Sequence, residues 1–133
     1  MKLLIVDDSL LVRNTLKRFF EAVAVENLRL MEGKNGEAAL QLFESEQPDY
    51  MILDLIMPVM DGMAVLKHLQ HVTHECDITI LSSNIQQTVK SKCLELGAKR
   101  FIEKPITAEK FANYLETIMG ADPNRINRQG INQ

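Results

Sequence analysis

The chain has 133 residues, of which 46% are hydrophobic and 25% charged, and its formal net charge is −3. This length suits one domain with a single core, and the negative balance predicts no broad basic face for direct nucleic-acid binding. Residues 3–6, the first apolar run, are too few for a signal-peptide core or a membrane span. We therefore expect a cytoplasmic protein without a membrane segment. Its two cysteines, Cys76 and Cys93, lack metal-type spacing and are expected to be reduced and partly buried.

The chain begins with alternating strand and helix patterns. Lys2–Val6 predicts a buried strand that ends on Asp7-Asp8, and Ser9 is a suitable N-cap for a first helix. One face of that helix carries Val12, Leu16, Phe19, Phe20 and Val23. Residues 27–31 then predict a weaker, half-buried strand, followed by a turn and by a second helix that begins at residue 37 and stops near residue 48, a proline.

Residues 50–62 form the central stretch of the sequence. Four apolar or aromatic residues predict a strand buried on both faces, and that strand runs straight into Asp54. Pro58 and the Asp61-Gly62 pair then predict a turn before a third helix. On its own, Asp54 could equally be a simple turn former, since aspartate is common in turns.

The second half of the chain continues the alternation. Residues 78–81 predict a fourth strand that ends on Ser82. A fourth helix follows, with Gly97 at its C′ position and an apolar face made of Ile85, Val89, Cys93 and Leu96. A short fifth strand around Phe101 ends on Lys104-Pro105, and Thr107 can cap a last helix. Residues 120–133 are polar and predict a flexible tail or a linker stub.

Five strand–helix alternations predict an α/β fold, a doubly wound five-stranded parallel sheet with helices on both faces. Right-handed crossovers leave few topologies, of which we favour the flavodoxin-like order 2-1-3-4-5. The carboxyl ends of parallel strands gather on one edge of the sheet. The residues that this fold brings to that edge are Asp7, Asp8, Asp54, Ser82 and Lys104.

These residues predict one site rather than unrelated caps and surface charges, because four strand ends agree. An all-oxygen set of carboxylates suits Mg²⁺, with Mn²⁺ also possible, better than Zn²⁺. Such a site can accept a phosphoryl group on a carboxylate. No glycine-rich phosphate loop is present, so a phosphorylated protein or a small acyl phosphate is a better donor than a bound nucleotide. His68, His71 and His74 are expected to face solvent instead of forming a metal site.

The sequence resembles the receiver domain of two-component response regulators, in the single-domain form typical of chemotaxis regulators. The resemblance covers residues 1–119 and rests on motifs in matching order: Asp7-Asp8, Asp54 to Gly62, Ser82 and Lys104-Pro105. The choice of strand order is not independent of it, because this order is the family's own.

The resemblance implies a role for each site residue. Asp54 would be the phospho-acceptor, charged by a histidine kinase or a phosphotransfer protein. Asp8, Asp54 and the backbone carbonyl of Ile56 would bind Mg²⁺ directly, and Asp7 would hold it through water. Lys104 would contact the phosphoryl oxygens, and in this family its bond to the following proline is cis.

The resemblance also implies an output. Ser82 and Phe101 would form a switch pair, and the face built from the fourth helix, fifth strand and fifth helix would change its affinity for an effector protein. Ser82 stands where threonine is more usual and Phe101 where tyrosine is frequent. Ile56 is apolar where many relatives are polar near the attacking water, which predicts slow to moderate self-dephosphorylation.

Three functional interpretations follow. The first is a phosphorylation-activated switch that stands alone as a monomer or weak dimer; it is no enzyme in the ordinary sense, since it catalyses only its own phosphorylation and dephosphorylation. The second is the receiver half of a larger transcriptional regulator or output enzyme. The third, a phosphohydrolase with an aspartyl phosphate, is disfavoured because such enzymes carry a second acid two residues after the nucleophile, where Ile56 stands.

Overall fold

Five parallel strands alternate with five helices in the computed structural model, which describes residues 1–120. The strands are Lys2–Val6 (β1), Arg29–Gly33 (β2), Tyr50–Leu53 (β3), Asp77–Ser82 (β4) and Arg100–Glu103 (β5). The helices are Leu10–Val23 (α1), Gly36–Glu46 (α2), Gly62–Leu69 (α3), Gln87–Glu95 (α4) and Ala108–Met119 (α5). The strand order is β2-β1-β3-β4-β5, which confirms the predicted topology. Apart from Gly120, the predicted tail lies outside the described residues.

The sheet is buried on both faces, as its continuous apolar strands predicted. Alternate residues of β1 enter different layers: Leu4 and Val6 pack with α2, α3 and α4, whereas Leu3 and Ile5 pack with α1 and α5. All four of these side chains are at most 1% exposed. Helices therefore cover both faces of the central strands β1, β3 and β4, whereas the edge strands β2 and β5 stay partly exposed. The polar residues predicted to form the site lie at the carboxyl ends of the strands.

Side chains cap four of the five helices at their amino ends. The predicted caps are confirmed: the Ser9 hydroxyl accepts the Val12 N–H at 3.3 Å, and the Thr107 hydroxyl accepts the Lys110 N–H at 3.2 Å. At the other end of a helix, Gly97 adopts φ +106°, the left-handed conformation expected of a C′ glycine.

Two elements begin later in the chain than predicted. Strand β2 begins at Arg29 rather than residue 27, because Asn27 has φ 57° and still belongs to the turn. Ile85, predicted on the apolar face of the fourth helix, precedes α4 and is 50% exposed. The Asn84 side chain accepts the Gln86 N–H at 3.1 Å, and this local turn delays the start of the helix.

The cysteines and histidines lie away from the polar edge. Both cysteines are free thiols and are buried. His68 and His71 are exposed, as predicted. His74 is half-buried, contrary to the prediction, since its Nδ1 accepts the Cys76 N–H at 3.1 Å and its ring meets Phe43 edge-on. Among residues 1–120, no helix has the length and hydropathy needed to cross a lipid bilayer.

Candidate functional site

Sheet geometry brings the predicted strand-end residues together. Backbone hydrogen bonds continue the ladder just past the strands: the Asp54 N–H donates to the Val6 carbonyl at 2.9 Å, and the Asp7 N–H donates to the Gly33 carbonyl at 3.1 Å. The Lys104 N–H donates to the carbonyl of Ser82 at 2.9 Å. Each functional side chain therefore emerges at the same edge, held by its own strand.

Three carboxylates converge at this edge. Asp7, Asp8 and Asp54 each offer an oxygen, and these oxygens lie within 4.8 Å of one another. Asp7 and Asp54 are 2% and 5% exposed, whereas Asp8 is open to solvent. Within the described part of the chain, no other group of three acids, histidines or cysteines is arranged in this way.

One ammonium group faces these acids. Lys104 Nζ lies 2.9 Å from Asp7 Oδ2 and 3.5 Å from Asp54 Oδ2. The alignment of the shorter contact leaves the buried Asp7 Oδ2 without a well-formed hydrogen bond. Burial opposes the charge of Lys104, but the close contact and charge of Asp7, helped by Asp54, raise the pKa of the lysine overall. Lys104 is therefore protonated at neutral pH.

Asp54 carries an electrostatic penalty in this arrangement. Burial, followed by the neighbouring charge of Asp7, raises its pKa above the ordinary value, although Lys104 and a hydrogen bond from the Ile56 backbone oppose the shift. The physical reason is that two buried carboxylates share one lysine, which lies closer to Asp7. The pocket has an excess of negative charge and an unsatisfied carboxylate oxygen, so its donor set fits a hard divalent cation.

The raised pKa of Asp54 predicts how stability depends on pH in metal-free solution. The folded chain holds this proton more tightly than the unfolded chain, so the stability it contributes is present below the ordinary pKa of 3.8 and is lost as the pH rises through the raised value. At neutral pH we expect Asp54→Asn to raise the free energy of unfolding by roughly 1–2 kcal/mol.

Urea unfolding with a chelator present, at several pH values, measures this difference. The difference in the free energy of unfolding between Asp54→Asn and wild type should become smaller towards acid pH. It should also narrow when Mg²⁺ is added, because a ligand that binds the folded wild type stabilises it. A variant less stable than wild type at neutral pH would contradict the electrostatic account.

The two predicted switch residues lie on neighbouring strands. Ser82 ends β4 and is fully buried, and its hydroxyl accepts the Asn84 N–H at 3.2 Å. Phe101, on β5, is half-buried against the core layer of α2, α3 and α4. The ammonium of Lys90 lies over its ring, 5.5 Å from the centroid. The Lys104–Pro105 peptide bond is cis, as the resemblance implied.

The loop between β3 and α3 closes the site from one side. The Gly62 N–H donates to the Leu55 carbonyl at 3.0 Å, which folds the loop back towards Asp54. Val59 has φ 70°, an uncommon conformation for a β-branched residue, and its side chain is 76% exposed. Ile56 is also exposed, at 67%, while its backbone lies against the Asp54 carboxylate.

Sequence reasoning missed two features of this edge. Arg13, on α1, donates from Nη1 to the Asp7 backbone carbonyl at 2.6 Å. Exposed apolar side chains also occupy the loops and the helix start that follow β1, β3 and β4, and we call them the apolar rim: Leu10, Leu11, Ile56, Val59 and Ile85. The sequence does contain a signal for the rim, since apolar residues follow three of the polar strand ends.

Comparison with known proteins identifies the family. Residues 3–116 match the response regulator receiver domain. The chemotaxis protein CheY of Bacillus subtilis is 32% identical over 114 residues, which cover 82% of this chain and 89% of that protein. The protein-glutamate methylesterase/protein-glutamine glutaminase of Treponema denticola is 39% identical over 112 residues, covering 82% of this chain. This chain spans only 30% of that relative's length.

Solved structures agree with the sequence match. A chain of the CheX-CheY-BeF3-Mg+2 complex from Borrelia burgdorferi gives a TM-score of 0.80 at 26% identity, covering 90% of this chain and 89% of that one. The response regulator domain of Thermotoga maritima CheB gives 0.78 at 26% identity, covering 92% and 98%. With the fold, the strand order and the acidic edge in agreement, the chain belongs to the family of response regulator receiver domains.

Proposed function

We propose that this receiver domain is a phosphorylation-activated switch whose acceptor is the carboxylate of Asp54. The observation that carries the proposal is a buried carboxylate at the end of β3, with a lysine ammonium 3.5 Å away and two further acids beside it. The negative charge of this carboxylate is unfavourable in the folded protein. Carboxylates with such perturbed pKa values are candidates for chemical modification or for pairing with a cation.

The acids are proposed to hold Mg²⁺, or Mn²⁺ in its place. Asp8, Asp54 and the Ile56 carbonyl would bind the ion directly, and Asp7 through water. The mutual proximity of the carboxylate oxygens and the unsatisfied Asp7 Oδ2 support this assignment. When bound, the cation supplies positive charge that offsets the charge of the acceptor and of the incoming phosphoryl oxygens.

The transfer step follows from this arrangement. An Asp54 oxygen attacks phosphorus, the bond from phosphorus to the donor histidine nitrogen breaks, and its electron pair stays on the imidazole. Lys104 contacts the phosphoryl oxygens and Ser82 donates a hydrogen bond to another. Attack by water on the aspartyl phosphate later returns the carboxylate and releases phosphate. The domain catalyses these steps on itself and turns over no separate substrate.

Two surfaces serve the two kinds of partner. The apolar rim lies in the segments that follow β1, β3 and β4, and it holds five of the seven large hydrophobic side chains that are most exposed within residues 1–120. We assign it to the histidine kinase or phosphotransfer protein that must reach Asp54. The α4-β5-α5 face is assigned to the effector, because Phe101 lies beneath Lys90 where movement of the ring changes that surface. We infer a cytoplasmic domain that acts as a monomer or weak dimer.

Incubation with acetyl phosphate and Mg²⁺, followed by intact-mass measurement, tests the acceptor. We expect the wild type to gain one phosphoryl group and Asp54→Asn to gain none. Asp49→Asn is a matched control, since Asp49 is at the opposite edge of the sheet, where its carboxylate accepts the Lys2 N–H. Equal labelling of wild type and Asp54→Asn would place the acceptor elsewhere.

A second candidate is the receiver half of a larger regulator or output enzyme. It is favoured by the methylesterase relatives, of whose length this chain spans 30% and 27%. The intact mass of the protein isolated from its natural source separates the two candidates. A mass matching residues 1–133 supports the single-domain switch, and a larger mass supports the second candidate.

A further inference from the structure

A chain of polar contacts joins α1 and β2 to the acidic turn after β1. Arg13 Nη1 donates to the Asp7 backbone carbonyl at 2.6 Å, and Arg13 Nε donates to Glu32 Oε1 at 3.0 Å. Lys17 Nζ in turn lies 3.0 Å from Glu32 Oε2. One guanidinium therefore bridges the edge strand β2 and the turn that carries Asp7 and Asp8.

This bridge is more than a surface ion pair. The Arg13 side chain is only 14% exposed, so water competes weakly for its donors. Burial would raise the pKa of Glu32, but hydrogen bonds from Lys17 and Arg13 outweigh it and hold the pKa below the usual range. The glutamate is thus ionised at neutral pH, and its bonds with Arg13 are charge-assisted.

Asp7 is consequently held by several contacts at once. Arg13 holds its carbonyl, the Ser9 N–H holds Oδ1 at 2.9 Å, and Lys104 lies 2.9 Å from Oδ2. The Ser9 and Lys104 contacts orient the side chain, and the Gly33 carbonyl accepts the Asp7 N–H at 3.1 Å. The Arg13 contact holds the carbonyl of the peptide that leads into Asp8. Asp8 itself is exposed, and its position depends on that backbone.

We propose that Arg13 is a positioning residue: through Glu32 and the Asp7 carbonyl, it sets the backbone from which Asp7 and Asp8 reach a divalent cation. The inference rests on the proposed metal site, because it assigns to Arg13 no contact with metal or phosphoryl group. It explains why a cationic side chain lies beside a site that must attract a cation. The effect of Arg13 on the position of the acids outweighs the repulsion between its charge and the cation.

Mn²⁺ affinity, measured by electron paramagnetic resonance, tests the inference. A role through charge and a role through positioning predict opposite changes in this affinity when Arg13 is removed. If Arg13 acted only by its charge, Arg13→Ala would tighten Mn²⁺ binding by removing a repulsion. Positioning predicts that binding weakens about tenfold, the usual scale for a residue that supports a metal ligand. Arg18→Ala, at an exposed position on the same helix, is the matched control and should bind like wild type.

Three further variants sharpen the result. Arg13→Lys keeps the charge but has one nitrogen for two partners, so it should also bind weakly; full rescue would overturn the bridging geometry. Glu32→Gln should weaken Mn²⁺ binding less, and it serves as the test if Arg13→Ala fails to fold. The double variant should lose no more than Arg13→Ala alone, since both residues act through one link.

Two outcomes separate this inference from the proposed function. If the wild type binds Mn²⁺ and Arg13→Ala binds it with the same affinity, the positioning role alone is overturned. Absence of Mn²⁺ binding in the wild type would overturn the metal site and the inference with it. Urea unfolding of each variant in chelator verifies that the affinities compare folded proteins.

Discussion

Lys104→Met is expected to slow phosphorylation by acetyl phosphate by roughly a hundredfold or more, the scale seen when one preorganised donor to a developing charge is removed. In metal-free solution it should also lower the free energy of unfolding by about 3 kcal/mol, because breaking a buried ion pair leaves uncompensated charge. The lysine side chain is 20% exposed, and its ammonium is shared by two buried carboxylates. No other part of the described chain offers these acids a cation at comparable distance.

The pH dependence follows from the same charges. Without Lys104, the pKa of Asp54 should rise further, since burial and Asp7 already raise it and Lys104 opposes them. The folded variant then binds a proton more tightly than the unfolded chain, and its stability falls as the pH rises through that pKa. The stability deficit relative to wild type should therefore be largest at neutral pH and shrink in acid.

Urea unfolding in chelator and labelling kinetics followed by intact mass measure the two effects. Lys99→Met is the matched control, because Lys99 is exposed and precedes β5 at the opposite edge of the sheet. It should match wild type in both assays. A Lys104→Met protein labelled at the wild-type rate would remove the lysine from the proposed transfer step, whatever its stability.

The sheet could be predicted because its signals are local. Each strand is a short apolar run bounded by polar residues or turn formers, and the parallel arrangement follows from the alternation with helices. Errors arose where a turn competed with an apolar pattern. Ile85 fits a helical apolar face, but the Asn84 turn precedes α4 and leaves that side chain exposed. Asn27 likewise extends a turn into the segment predicted as β2.

The acidic site could be predicted for a different reason. Parallel strands deliver their carboxyl ends to one edge, so residues that follow β1, β3 and β5 must meet whatever the details of packing. Arg13 could not be found this way, because its role depends on the register of β2, which brings Glu32 opposite Ile5, and on the packing of α1. No residue spacing in the sequence indicates that a guanidinium on α1 bridges β2 and the turn after β1.

Gly62→Ala is expected to lower the free energy of unfolding by about 3 kcal/mol and to weaken Mn²⁺ binding. A Cβ on Gly62 would overlap the Asp54 carbonyl oxygen and would lie 2.9 Å from the Leu55 Cα. Both contacts are with backbone, so no flexible side chain can move to relieve them. Overpacking ordinarily costs 1–3 kcal/mol, and we expect the upper end because the clash falls on a buried strand end.

The metal affinity links this clash to the site. Because the Val6 carbonyl holds the Asp54 N–H at 2.9 Å, the Asp54 carbonyl can retreat only by rotation of the peptide that joins Asp54 to Leu55, and this rotation displaces the start of the loop. The other way to relieve the clash, outward movement of the loop, breaks the 3.0 Å hydrogen bond from Gly62 to Leu55 and displaces the Ile56 carbonyl assigned to the cation. Either movement separates oxygens that we propose bind one ion, so binding of Mn²⁺ should fall even where the variant remains folded.

Gly97→Ala distinguishes this clash from loss of backbone freedom. Its Cβ would meet nothing within 4 Å, and the cost comes only from the left-handed φ of +106°. We expect it to lose about 1 kcal/mol of stability, with unchanged Mn²⁺ binding. Urea unfolding and Mn²⁺ titration of both variants make the comparison. If Gly62→Ala lost no more stability than Gly97→Ala and bound Mn²⁺ normally, the close approach of α3 to the end of β3 would not constrain the site.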